Sequence, residues 1–339
     1  MLRKSLTCSL LFSAITLAGA AHAAGEVNIY SYRQPYLIEP MLKAFSEQSG
    51  IKTNVIYADK GLVERLKREG ALSPADVVLT VDIHRVMEVV DASLAQPLQD
   101  GMLEQRIPAQ YRDSQGRWFG LTLRARAVYS AKARNGKLPA SFDYIDLADV
   151  KYKGRICTRS FKNDYNVSLT AALLAHHGEE KTRAWLQGLK ANLAQKPQGG
   201  DRDQIKAVAE GVCDLALGNS YYLGRMLADE KQRPTAQAVE MNFPGQESLG
   251  THVNISGVVL AKHAPNRDNA IKLIQFLSDD PAQQMYAEVN SEYPVKPGVQ
   301  RSAVVASWGE FKADTLPLEK VAENYQQALK LIDEVKFDL

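Results

Sequence analysis

From Val27 to Asn290, short apolar runs alternate with longer stretches whose apolar residues recur at helical spacing. No other feature narrows the fold as much. Val27 to Tyr30 reads as a strand, and Leu37, Ile38, Met41, Leu42 and Phe45 then mark a helix that Gly50 ends. Pro40 is expected in that helix's first turn, the place where a missing N–H does no harm. "IKTNVIYA", "GLVERLKREG", "ADVVLTVD" and "IHRVMEVVDASL" continue as strand, helix, buried strand and helix. A second block starts near residue 125. There "GRICTRS" and "CDLALGN" are strands, and "YNVSLTAALLAHHG", "EKTRAWLQGLKANL" and "DQIKAVAEGV" are helices, with another helix beginning near Tyr221. Beyond residue 250 come the strand "HVNISGVVLAK", the helices "NRDNAIKLIQFLSDD" and "PAQQMYAEVN", and a last amphipathic helix, "PLEKVAENYQQALKLIDEV". Such alternation predicts an α/β fold with a largely parallel sheet covered on both faces.

The first two dozen residues stand apart. Arg3 and Lys4 precede the apolar "LTCSLLFSAITLAGA" and a small-residue site, "AHA" or "HAA", with cleavage expected after Ala23 or Ala24. That is the pattern of a secretory signal peptide, 1–24, too short for a membrane anchor. Cys8 lies too early to be the first residue of a lipoprotein. Export without an anchor places the protein in the periplasm of a bacterium. The remaining 315 residues are long for one core and favour two domains. With neither an internal repeat nor a low-complexity linker, the joint is expected in crossing strands, near "FGLTLRARAVYS" and "GTHVNISGVVL".

Losing the signal lowers Lys+Arg from 41 to 39, level with Asp+Glu at 39. A net charge near zero argues against nucleic acid or an anionic membrane surface as partner. Two cysteines remain, Cys157 and Cys213; in an oxidising compartment they form either one disulfide or two buried thiols.

Three segments share a strand, a polar turn bearing tyrosine, and a helix start: "NIYSYRQPY", "TRSFKNDYNVSL" with Tyr165, and "LALGNSYYLG" with Tyr221 and Tyr222. Ligands of open α/β sheets bind beyond the carboxyl ends of strands, where helix N-termini favour negative charge. Adjacent helical residues diverge by about 100°, so Tyr221 and Tyr222 cannot share one buried stripe. Several phenolates on one site suit a hard, highly charged ion such as ferric iron; the plainer alternative is a tyrosine-walled pocket. Arg33 with Gln34, and Arg124 with Arg126, could anchor an anion through forked hydrogen bonds or stand as solvated charges.

The stretches "YSYRQPYLIEP", "SPADVVLTVDIHR", "WFGLTLRARAVYS", "YNVSL", "GNSYYLGRM", "GTHVNISGV" and "EYPV" together resemble the periplasmic ferric-iron-binding proteins of ABC importers, over essentially the whole mature chain. The resemblance implies a type II periplasmic binding protein: two α/β lobes, a two-strand hinge and an interlobe cleft. It divides the chain into 25–124 with 251–299, and 125–250 with 300–339. It implies Fe(III) on Tyr165, Tyr221 and Tyr222, with carbonate or a similar anion held by Arg33, Gln34 and Arg124. Some members add a His and a Tyr from the first turn, in a pattern like "SRHY"; this chain has Arg33-Gln34-Pro35-Tyr36 there, which leaves Tyr36 outside the metal set and Tyr32 a cleft wall. The implied partners are an inner-membrane ABC permease and its ATPase, and the implied state is a monomer that does not insert in the membrane.

No catalytic set competes with this reading. The sequence has no G-x-S-x-G and no H-E-x-x-H, and the S-x-x-K match at "SGIK" falls between a helix end and a strand. His84 and His252 could border the cleft; His176 and His177 sit at a helix end; the histidines are too scattered for a zinc or nickel site. Trp118, Trp185 and Trp308 are expected in cores or lobe interfaces. The rival functions are an organic anion or a small cationic solute bound in the same fold and, further off, a secreted enzyme.

Overall fold

The computed structural model describes residues 25–339, so the expected signal peptide lies outside the described residues. Its strands are β1 (Glu26–Ser31), β2 (Lys52–Tyr57), β3 (Val77–Leu79), β4 (Phe119–Ala131), β5 (Ile156–Cys157), β6 (Leu215–Asn219), β7 (Val239–Asn242), β8 (Val253–Leu260) and β9 (Tyr293–Pro294). They are ordered β2-β1-β3-β8-β4-β6-β5, with β7 and β9 also paired to β4. β2, β1 and β3 are parallel, as are β5 and β6, each connected through helices as the alternation requires. The strands between these groups, β8 and β4, are antiparallel to their neighbours.

β4 organises the molecule. Its first half pairs with β8, from Phe119↔Val258 to Ala125↔Val253, and its second half with β6, from Arg126↔Asn219 to Ser130↔Leu215. All thirteen of its residues are buried. It changes neighbours between Ala125 and Arg126, where the Arg126 N–H still reaches the His252 carbonyl at 2.9 Å. Both stretches expected to cross between lobes therefore lie side by side. Trp118 and Trp185 are buried, as expected, while Trp308 packs at the core's edge.

The helices depart from the sequence reading in two places, at Pro40 and at Asn324. The first helix runs Pro35–Ser49, so Pro40 lies inside it and not in its first turn. Pro35 supplies a preorganised start, and Gly50, with φ 72°, closes the far end through its N–H to Ser46 O. The two helices expected after Tyr165 are both present within Asp164–Ala191, separated at Gly178, whose φ of 77° and ψ of 172° are not helical. The last amphipathic segment instead divides into Leu318–Glu323 and Tyr325–Glu334 at Asn324.

One glycine sets how closely β6 lies on β4. A methyl group added to Gly218 would run into the ring of Tyr129, whose Cζ would lie 3.0 Å away. That ring is buried, and its hydroxyl donates to Asn219 O at 2.6 Å. With no room to retreat, Gly218→Ala is expected to destabilise the protein by about 1–3 kcal/mol, measured by denaturant unfolding. An unchanged midpoint would show that Tyr129 can move.

Candidate metal centre

The turn after β5 and the end of β6 deliver the three tyrosines. Asn163 caps the helix that begins at Asp164, its side chain accepting from Tyr165 N at 3.2 Å. β6 ends at Asn219, and helix Ser220–Ala228 starts at once, so Tyr221 and Tyr222 occupy its first turn. Their rings do not point apart. They stack at 4.2 Å between centroids, tilted by 30°.

Tyr165, Tyr221 and Tyr222 line one cleft of about 440 Å³ with Tyr32, Gln34, Tyr36, Asp59, Arg85, Arg124, Arg159 and Asp164 among its walls. Tyr221 is 2 % exposed, and Tyr36 is 43 % exposed beside the Arg225 guanidinium. Tyr32 is a buried wall whose hydroxyl accepts from Leu62 N at 3.1 Å. Burial first, then repulsion from the neighbouring phenolates of Tyr165 and Tyr222, pushes the Tyr221 hydroxyl well above the ordinary phenol range. Burial, Tyr165 and Asp201 push Tyr222 up as well, against the nearby Arg159. Without a cation, then, these two groups are protonated; a multivalent cation among them would reverse the repulsion that keeps them so.

Behind the tyrosines lies a buried ionic network. Asp201 accepts from Arg126 Nη1 at 2.7 Å, from Asn219 N at 2.8 Å and from Arg159 Nη1 at 3.3 Å. Arg126 Nη2 reaches Asn166 Oδ1 at 2.5 Å. Asn166 follows Tyr165 and Asn219 precedes the tyrosine pair, so one Arg–Asp pair fixes both tyrosine turns to β4. Removing one partner of such a pair strands the other in low dielectric, typically at about 3–5 kcal/mol.

The expected anion set is divided. Gln34 is exposed in the cleft, 3.3 Å from Asp59, and Arg124 lines it. Arg33 instead lies behind the wall, 1 % exposed, bonded to Ser256 and 2.9 Å from Glu292. Neither histidine suspected of bordering the cleft lines it. His84 stacks on Tyr325 at 3.5 Å, and His252 is buried behind Tyr165 with Arg124, Arg126, Asn219 and Asn254. Burial pushes His252 down to about 4. Sequence reasoning missed Arg85, Arg159 and Asp164. Arg85 bridges to Asp164 at 3.2 Å across the cleft rim. Asp164 and Arg159 stand in the Tyr165 turn itself, which was the available signal.

Cys157 and Cys213 are joined, with Cα atoms 5.8 Å apart. Among the described residues no helix is long and apolar enough to cross a membrane, and no group of three or more His, Cys, Asp or Glu could hold a metal ion.

The family model for the bacterial extracellular solute-binding proteins matches residues 40–313. Iron uptake protein A1 of Synechocystis is 45 % identical over 91 % of this chain and 86 % of its own length. The structure is similar to that of the apo ferric ion-binding protein A of Pasteurella haemolytica, with 64 % identity, a TM-score of 0.90, and 93 % and 98 % of the two chains covered. It is also similar to a Trichodesmium protein in complex with iron and citrate ligands, at 40 % identity and a TM-score of 0.86, covering 92 % and 100 %. The chain belongs to the bacterial extracellular solute-binding protein family, among its ferric-binding members, with the two-lobed type II periplasmic binding protein fold.

Proposed function

We propose that this protein is the periplasmic iron-capturing component of an ABC importer, binding Fe(III) through the phenolates of Tyr165, Tyr221 and Tyr222. The observation that carries this is the convergence of three phenols from two separate strand ends on one cleft walled by arginines. Three phenolates balance the charge of Fe(III) and supply the hard oxygen donors it prefers. Carbonate, bicarbonate or a similar anion completes the coordination. The lobes, 25–124 with 251–299 and 125–250 with 300–339, close on the metal, and the loaded monomer delivers it to an inner-membrane permease driven by its ATPase. The reading supported is transport rather than catalysis.

The sign of the pH dependence follows from the raised phenols. Each must lose its proton to bind iron, so affinity falls as pH falls, by about tenfold per pH unit for every proton released. The test is a ferric titration followed by visible absorption between pH 5.5 and 8. A new broad band whose midpoint weakens steeply with acid is expected. A flat spectrum, or an affinity independent of pH over that range, would overturn phenolate ligation.

A further inference from the structure

Asp82 is a fully buried carboxylate whose hydrogen bonds come from three separate elements. It caps helix Ile83–Asp91, accepting from His84 N at 2.7 Å. Its other oxygen accepts from Asn254 Nδ2 on β8 at 2.6 Å, and from Ser168 Oγ, in the helix that begins at Asp164, at 3.0 Å. In the lobe division proposed above, Asp82 and Asn254 belong to one lobe and Ser168 to the other. The same contact carries two more links between the lobes: Arg85 to Asp164 at 3.2 Å, and the His84 ring stacked on Tyr325. Arg85 and Asp164 also form part of the cleft wall.

Among the described residues no cation forms an ion pair with Asp82. Arg124, facing it from β4, is engaged with the carbonyls of Val81 and Ile255, and Arg85 with Asp164 and Glu88. The charge that faces Asp82 from the other lobe is a second carboxylate, Asp164, which also accepts from the Tyr325 hydroxyl at 2.8 Å. On the far side of His84, Glu88, Asp91 and Glu323 line an outer groove and add only negative charge. Asp76 makes the contrast. It is as deeply buried, but its bonds, from Asn28 and Asn266, stay within one lobe.

We propose that Asp82 is a proton-dependent joint between the lobes, holding them together when neutral and letting them part when ionised. Neutral, it donates to the Ser168 hydroxyl, which turns to accept, and keeps its bonds from His84 and Asn254. Ionised, it sits in low dielectric against Asp164 with no cation, a position that water relieves only when the two surfaces separate. Burial first, then Asp164, pushes its carboxyl up to about 7, from an ordinary 3.8 that solvent restores. The joined form thus holds the proton more tightly. It is fully favoured below the ordinary value, loses ground about tenfold per pH unit between the two values, and is weakest above the upper one. The empty cleft therefore opens as pH rises, the direction in which phenol ligation also gains.

Amide hydrogen exchange of the metal-free protein tests the joint without drawing on the iron reading. Protection, corrected for the intrinsic exchange rate, is followed from pH 4 to 8 in residues 82–86 and 164–170. It should fall about tenfold per pH unit up to about 7 and level off there, while helix Arg267–Leu277, which supplies none of these contacts, shows no such slope. Asp82→Asn keeps the helix cap without the titration, so the slope should vanish in both segments. Asp82→Ser does the same and serves if the Asn variant does not fold. Asp76→Asn should keep the wild-type slope. A flat wild-type profile, or a slope that survives the loss of the Asp82 carboxyl, would overturn the joint and leave the iron site untouched. So would loss of the slope in Asp76→Asn as well, which would assign it to the fold at large. The iron reading stands or falls separately, on the ferric titration of the same proteins.

Discussion

Tyr221→Phe is expected to abolish tight iron binding while leaving the apo protein as stable as before. The ring is 2 % exposed and stacked on Tyr222, and phenylalanine preserves that stack and its buried area. What disappears is one buried hydroxyl, that of Tyr221. A neutral buried hydrogen bond contributes only about 1 kcal/mol net, and the phenol is neutral in the apo protein, so no charge is lost with it. On the proposed reading the same atom is one of three charged donors to the metal. Changing residues that merely support a metal ligand costs 10–100-fold in affinity as a rule, so deleting the ligand should cost at least about a hundredfold. Ferric titration and thermal unfolding of the same sample separate the two effects. Retained affinity would remove Tyr221 from the site; a large fall in apo Tm would show that the hydroxyl serves the fold.

The two outcomes have different origins, and the sequence exposes them unequally. Strand–helix alternation made the parallel groups β2-β1-β3 and β5-β6 legible, because a strand covered on both faces leaves a continuous apolar run. The tyrosine turns were legible because each sits where such a run gives way to a helix start. The partner of Arg33 was not. Glu292 lies 259 residues away, and nothing local distinguishes an arginine that will be buried in an ion pair from one that will face a ligand. The same limit hid Arg159, whose partner Asp201 lies 42 residues away and is shared with Arg126 and Asn219. The short strand β7 escaped notice too, since "VEMN" forms its edge only against the second half of β4. Period and composition find the walls of this cleft; which charges remain unspent inside it is a property of long-range pairing.

The disulfide provides the second large effect, on stability instead of affinity. Cys157 ends β5, a strand of two residues, and Cys213 precedes β6, its parallel neighbour through Ile156↔Leu215 and Cys157↔Ala216. Two ladder pairs make a weak junction, yet β5 leads to Tyr165 and β6 to Tyr221. The cross-link closes a span of 56 residues, for which chain entropy alone predicts about 4 kcal/mol. Both sulfurs are buried in the cluster with Ile205, Val208 and Ala216, so a reductant reaches them slowly in the native state. The double variant Cys157→Ala/Cys213→Ala is therefore the cleaner probe, since small apolar side chains suit that environment. Its Tm should fall by roughly 8–15 °C at the scale of 2–4 °C per kcal/mol for lobes of this size. Below the transition its iron band should be unchanged, because Asp201 and Arg126 still fix both tyrosine turns. A fall of less than 2 °C would mean that the network carries the junction without the bond. A normal Tm loss with a shifted iron band would mean the reverse: the disulfide, and not the Arg126–Asp201 pair, sets the spacing of the phenols.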